Sequence, residues 1–434
     1  MRNVVRDRKI RLGVLGAFRG EAFAAVAEHA GMRLVAICDS FEPRQKKVSE
    51  KYGVKGYSNF DDFLRHDMDA VVVASSFHQH AGYAIRAMER GLHVLSETSS
   101  NVTLAEGALL YEKAEETGLC YMLAENYCYT KFIQEMKKLY NSGEIGAVRY
   151  AEGEYNHPMS MEETLRYSPG VNHWRNNLPY CYYITHALAP MMYVTDTRPV
   201  EVSCSIIPAS PGSFYKTAQD NNHGAGECES AFIIVLRMDS GAVFRIIGGG
   251  LAGHSCWYGF HGTTGAMETS RGHGYFGPET VRVWHEPWDL GGGRSPERVY
   301  VPRWPSHEAE ANSTGHGGGD FFVALAFADA IKSGTPPYLD AYRGVTMSNV
   351  GILAWRSAHA NGAFVRVPDL KNKTDCDAML ADRLCPFAGV ENSVLMPPEM
   401  LAKRTFTPEW TAAAKKIWKE IGYNDAEIEE MLVP

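Results

Sequence analysis

At 434 residues the chain exceeds one ordinary domain, and 45% hydrophobic against 22% charged residues describes a soluble globular protein rather than a disordered, collagenous or coiled-coil one. A formal charge of -8, with lysine and arginine scattered among acids, leaves no basic stripe for nucleic acid. The nine cysteines form no Cys-x-x-Cys pair, the N-terminus is too charged for a signal peptide, and no apolar run reaches the ~18 residues of a membrane span, so a cytoplasmic protein with reduced thiols and no membrane partner is expected.

From Ile10 to about Leu123 short apolar runs alternate with amphipathic ones. Strands are predicted at 10–15, 34–38, 70–74, 93–96 and 120–124, with helices over 19–30, 43–52, 60–65, 79–90 and 104–117 between them. Buried runs separated by helical lengths specify a parallel, doubly wound sheet, and Gly31, Gly53, Gly91 and Gly118 stand where left-handed caps end helices. After Glu125 the texture changes. A helix over 131–141 is followed by strands at 147–156, 199–207, 229–238, 242–249, 256–261 and 298–302, which predicts an open, mainly antiparallel sheet with one face free for substrate. Stretches 211–227 and 286–297 read as loops, helices are predicted over 320–333 and 341–360, and a Pro-rich link leads to short helices over 408–421 and 424–432. The fold class is therefore α/β: a Rossmann domain over 1–126, a substrate-binding α/β domain over 127–388 and a helical extension over 389–434.

Two stretches carry candidate chemistry in the first domain. Gly13-Val14-Leu15-Gly16-Ala17-Phe18-Arg19-Gly20 follows the first strand and opens a helix, and Asp39 ends the second. Backbone N–H groups at such a turn receive a pyrophosphate, and the acid binds the adenosine ribose, which favours NAD over NADP. Phe18 holds the usual second glycine position and Gly20 stands one place early. Gly16, Ala17, Phe18, Arg19 and Asp39 are the predicted cofactor contacts of this half. Val71–Ser76 with Phe77-His78-Gln79-His80, and His93–Thr98, end the strands predicted at 70–74 and 93–96 at the ligand-binding rim, which adds Ser75, His80, Glu97 and Thr98. No third ligand accompanies His78 and His80 at metal-binding spacing, and no metal is expected.

The succession GVLG, CDS, VVVASSFHQH, GLHVLSET, AENYCY and NSGEIGAVRY resembles the Gfo/Idh/MocA oxidoreductase family over residues 9–368. The resemblance implies a Rossmann domain, an open-sheet second domain, NAD between them and a homo-oligomer. The family's Glu-Lys-Pro is here Glu97-Thr98-Ser99, and the aspartate usually four residues before the active-site histidine gives way to Tyr182 before His186. Ala124–Tyr129, Asn172–Arg175, Tyr183–His186 and Gly315–Asp320 are similar to the NAD-dependent α-N-acetylgalactosaminidase branch. That similarity implies that Glu97 and Asn126 contact NAD and that Tyr155, Arg175, Tyr183 and His186 line a sugar pocket. It also implies transient oxidation at C3 of a glycoside, elimination across C2 and C1, and hydration, with NAD regenerated.

His186 is the side chain expected to move protons, since imidazole exchanges them near neutrality, and Tyr183 is expected to assist at the hydroxyl. Arg175 is expected to hold a carbonyl or hydroxyl oxygen, and His316 with Asp320, beginning a helix beside glycines 315 and 317–319, ranks below His186 as a candidate, a simple N-cap being the alternative reading. A net sugar or polyol dehydrogenase, and a non-catalytic NAD- and sugar-binding regulator, are the alternative functions.

Overall fold

The computed structural model describes residues 8–208, 229–271, 280–289, 295–387 and 406–433. Six strands form the first sheet: β1 (Ile10–Leu15), β2 (Met32–Cys38), β3 (Lys55–Tyr57), β4 (Ala70–Val73), β5 (His93–Ser96) and β6 (Tyr121–Leu123). Their order is β3-β2-β1-β4-β5-β6 and every pairing is parallel, the doubly wound arrangement expected. Helices α1 (Gly20–Val26), α2 (Glu42–Tyr52), α3 (Phe60–Phe63), α4 (His80–Glu89) and α5 (Leu104–Thr117) connect them. The sequence Ala-Val-Val-Val of β4 is buried at every position because helices cover both faces, so apolar residues need not alternate. Helix α5 starts in a capping box between Thr103 and Glu106 and stops where Gly118 turns left-handed.

The second sheet has nine strands in the order β14-β13-β12-β11-β7-β10-β9-β8-β15. In chain order α6 (Lys131–Asn141), β7 (Val148–Asn156), α7 (Met161–Tyr167) and α8 (Thr185–Thr195) come first. Then follow β8 (Pro199–Pro208), β9 (Glu229–Met238), β10 (Val243–Gly249), β11 (Ser255–Gly262), β12 (Ala266–Thr269), β13 (Val281–Trp284) and β14 (Glu297–Tyr300). The chain continues through α9 (Glu308–Asn312), α10 (Gly319–Ser333), α11 (Ala341–His359), β15 (Val365–Arg366), α12 (Lys373–Leu380), α13 (Pro408–Ile421) and α14 (Asp425–Met431). Only β7 and β10 run parallel; the other neighbours are antiparallel.

Strands β12 and β13 and helices α7 and α8 were not foreseen from sequence. The two strands are short and alternate in burial beside glycine-rich chain, and α8 contains Pro190, which argues against a helix until its surroundings are known. The loop expected over 211–227 and most of the Pro-rich link lie outside the described residues, while 286–297 contains a 3-10 turn at Pro287–Asp289 and enters β14. Helix α11 packs on both α5 and β8, so one continuous buried cluster runs through the two sheets. The eight described cysteines are free thiols, and no helix among the described residues is long and apolar enough to cross a membrane.

Candidate active site

A cleft of about 480 Å³ opens where the C-terminal ends of β1, β4 and β5 meet the end of β7. Phe18, Arg19, Ser75, His80, Glu97 and Thr98 line it from the first sheet, and Tyr155, Arg175, Tyr183 and His186 line it from the second. Residues more than a hundred positions apart in sequence thus share one cavity. Four predicted cofactor residues, Gly16, Ala17, Asp39 and Asn126, are not among its lining residues.

The glycine turn begins at Gly16, whose φ of 92° and whose approach to Ala74, with an added Cβ only 2.1 Å from the Ala74 carbonyl oxygen, admit glycine alone. Asp39 pins the turn: its carboxylate accepts the N–H groups of Ala17 at 2.8 Å and Phe41 at 2.8 Å. Ala17 therefore spends its N–H on the acid, whereas each carboxylate oxygen keeps a lone pair for a ribose hydroxyl. Phe18 is 48% exposed and lies edge-on against Tyr167, so it borders the turn without filling it.

Arg19 is engaged by acids from both sheets' sides of the cleft. Its Nε donates to Glu97 at 2.6 Å, and its two terminal nitrogens donate to Asp320 at 3.0 and 2.6 Å. Asp320 also accepts from Asn126 Nδ2 at 3.1 Å and pairs with His316 Nδ1 at 2.9 Å. Burial would raise the Asp320 carboxyl, but Arg19 and His316 outweigh burial and hold it well below the usual carboxylate range. Of the two readings of His316 and Asp320, the simple N-cap does not hold. Gly318 is the N-cap of α10 and makes no side-chain bond, while Asp320 is a buried acceptor joining the glycine turn to α10.

His80 is buried at the start of α4, with its ring nitrogens 2.9 Å from the Ser99 carbonyl and 3.1 Å from the Ser75 carbonyl, and burial lowers its proton affinity. Both polar edges of the ring thus face the protein's own backbone. His78 is likewise turned away from ligand chemistry, against Trp174 and Phe387. No group of three or more potential metal-ligating side chains occurs among the described residues.

His186 is held by Glu125, the residue that sequence reading passed over. The carboxylate, fully buried just beyond the end of β6, places its two oxygens 2.9 and 3.0 Å from His186 Nδ1. Nε2 is then the nitrogen left for a ligand. Close approach of α8 to β7 makes this possible, because at Gly153 a Cβ would stand 2.7 Å from the Ala187 carbonyl oxygen. Pro190 contributes too. Lacking an N–H, it frees the carbonyl of His186 four residues earlier, and Tyr258 Oη donates to that oxygen at 2.5 Å. The signal in the sequence was an acid directly after a buried strand, Ala124-Glu125-Asn126.

Tyr155 stands edge-on to His186 at 4.6 Å, and Tyr127 packs on the same ring at 4.8 Å. Arg175 Nη1 donates to Tyr183 Oη at 2.5 Å, and the guanidinium also covers Trp174. Burial raises the Tyr183 phenol, Arg175 pulling the other way, so Tyr183 stays a hydroxyl donor. Tyr182, in the place of the missing aspartate, is a core residue, 2% exposed.

NAD fits these residues. Ser75 Oγ, Asn126 Oδ1 and Arg175 Nε are buried polar atoms without a hydrogen-bond partner among the described residues, and all three lie at or beside the cleft. Comparison with known proteins agrees. Residues 10–125 match the oxidoreductase family, NAD-binding Rossmann fold, and 133–268 match the GFO/IDH/MocA C-terminal domain. This chain carries Gfo/Idh/MocA family domains. Residues 254–374 also match the glycosyl hydrolase 109 C-terminal domain.

Glycosyl hydrolase family 109 proteins are among its relatives. That of Solibacter usitatus is 27% identical over 402 residues, covering 83% of this chain and 88% of its own, and that of Saccharopolyspora erythraea is 24% identical over 395 residues, covering 83% of each. The fold is that of levoglucosan dehydrogenase solved with NADH and levoglucosan, at a TM-score of 0.68 and 19% identity over 83% of this chain and 100% of that one. Aldose-aldose oxidoreductase from Caulobacter crescentus superposes at 0.65, also at 19% identity and with the same coverage of both chains. The chain is an NAD-dependent enzyme carrying oxidoreductase-family domains.

Proposed function

We propose that this enzyme cleaves a glycoside by transient oxidation at C3 of the sugar, elimination of the C1 substituent and addition of water, with no net redox change. The supporting observation is the cleft's lining. It runs unbroken from Phe18 and Glu97 to His186, and among the described lining residues its only carboxylate is Glu97, which is paired with Arg19. Most glycosidases that hydrolyse directly use two carboxyl groups facing one another across the scissile bond, and the described lining offers no such pair.

Bound NAD supplies a reversible acceptor for the hydrogen and electron pair of a substrate C–H bond. Gly16, Asp39, Ser75, Glu97, Thr98 and Asn126, with the backbone of Phe18 and Arg19, are the residues that would hold it. His80 supports that wall through its backbone bonds. His186 Nε2 takes and returns protons of the sugar, and the Glu125 carboxylate stabilises the imidazolium that results. Arg175 and the Tyr183 hydroxyl donate hydrogen bonds to a sugar oxygen, and Tyr155 provides an apolar wall for the ring. No lysine lines the cleft among the described residues, and the proton-transfer role is given to His186 because the buried Glu125 carboxylate backs its Nδ1.

Aryl glycosides of both anomeric configurations, assayed with and without NAD in deuterated water, test the reading. Aglycone release that requires NAD, produces no absorbance at about 340 nm and places deuterium at C2 is expected. Absorbance rising in step with product would instead make the enzyme a net sugar dehydrogenase. Turnover without deuterium at C2 would exclude elimination.

A further inference from the structure

The two C-terminal helices lie beyond residue 374, where the family matches end, yet they reach the cofactor side of the molecule. Ala414, Ile417 and Trp418 of α13 and Ile428 of α14 form a second, small core with Leu165 of α7. Trp418 Nε1 donates to the Leu165 carbonyl at 2.9 Å, Arg166 pairs with Glu420 at 2.8 Å, and the Val171 N–H donates to the Met431 carbonyl at 2.9 Å. Helix α7 has seven residues, too few to persist alone, and draws its support from this hairpin.

The other side of the hairpin meets the Rossmann domain. Its turn, at Gly422, lays Tyr423 flat on Phe41, with ring centroids 4.4 Å apart and an interplanar angle of 29°. Phe41 is the residue whose N–H holds Asp39. The Arg44 guanidinium lies over both Phe41, at 5.3 Å, and Phe18, at 4.9 Å, and Phe18 meets Tyr167 of α7 at 5.2 Å. Tyr423, Phe41, Arg44, Phe18 and Tyr167 therefore make a continuous rim from the acid at the end of β2 to the glycine turn. In a doubly wound sheet the adenosine of a dinucleotide lies between those two features, so it must enter and leave past this rim.

We propose that the C-terminal hairpin is part of the dinucleotide site: by setting Tyr423 against Phe41 and carrying Tyr167 to Phe18, it walls the adenosine end and slows release of NAD. The proposal depends on the NAD-binding fold and not on the glycoside chemistry. Retention has a use in any redox-neutral cycle, since a cofactor restored at each turnover need not exchange.

The test loads the full-length protein with fluorescent etheno-NAD, chases it with excess NAD and follows release by stopped flow. Tyr423→Ala is expected to release the dinucleotide about tenfold faster, the effect of losing one aromatic stacking contact, while Tyr423→Phe stays near wild type. Trp418→Ala, with its fold checked by circular dichroism, unfastens the hairpin from α7 and should accelerate release likewise. Nicotinamide mononucleotide, which lacks the adenosine, should bind wild type and Tyr423→Ala alike. Release by Tyr423→Ala within roughly twofold of wild type, or equal weakening of the mononucleotide, would overturn the proposal.

Discussion

Replacing Glu125 by glutamine keeps the size and shape of the side chain and removes only its charge. The carboxylate is 0% exposed and both oxygens lie within 3.0 Å of His186 Nδ1, so solvent screens the pair little. At an effective dielectric constant of ~20, unit charges about 4 Å apart attract by about 4 kcal/mol. A proton half transferred to Nε2 in the transition state draws on roughly half of that, about 2 kcal/mol, which is about thirtyfold in rate. A glutamine that turns its NH₂ toward Nδ1 would also impose the tautomer with hydrogen on Nε2, which cannot act as a base, and adds to the loss. Glu125→Gln should therefore lower kcat by about a hundredfold with little change in KM, measured as aglycone release from the best aryl glycoside of the screen. NAD binding, followed by fluorescence titration, should remain near wild type because Glu125 touches His186 and the Tyr127 backbone and not the glycine turn. A folded Glu125→Gln enzyme with kcat within about threefold of wild type would refute the role given to the pair.

Three further outcomes are expected. Asp320→Asn strips the charge that pairs with Arg19, and breaking such a buried pair costs about 3–5 kcal/mol, so the melting temperature should fall by about 3–5 °C and NAD should bind more weakly; a shift below about 1 °C would contradict this. Tyr258→Phe leaves the His186 carbonyl without a donor at the position where Pro190 already removed one, which should cost about 1–3 kcal/mol of stability in urea titration and reduce kcat by loosening the imidazole. Burial lowers the His157 imidazole to about 4, below its ordinary 6.5, so the fold favours the neutral ring; its contribution to stability is full above about pH 6.5 and is lost as pH falls toward 4. Between pH 7.5 and 4.5 the loss from this group is about 2–3 kcal/mol, and His157→Gln should remove it, which paired urea midpoints at the two pH values would show.

The parallel sheet was legible because its evidence is local. Ala70–Val73 and His93–Ser96 are short apolar runs bounded by helices with glycine stops, and Gly31, Gly53, Gly91 and Gly118 all adopt positive φ as their positions required. The same locality exposed the turn at Gly16 with Asp39. Resemblance supplied Tyr155, Arg175, Tyr183 and His186, which the fold gathers into one cleft. Helix α8 was hidden because Pro190 disqualifies a helix by local rules, and it is Tyr258, on the strand against which the helix packs, that donates to the carbonyl the proline leaves open.

Sequence by itself determined the backbone periods, the caps and the kind of cofactor, all of which depend on residues within a turn or a strand of one another. Tertiary structure decided the rest. Glu125 became the partner of His186, 61 positions away, and Asp320 the partner of Arg19, 301 positions away, because a buried charge must find its counter-charge wherever the packing brings one, and no local pattern records which one that is.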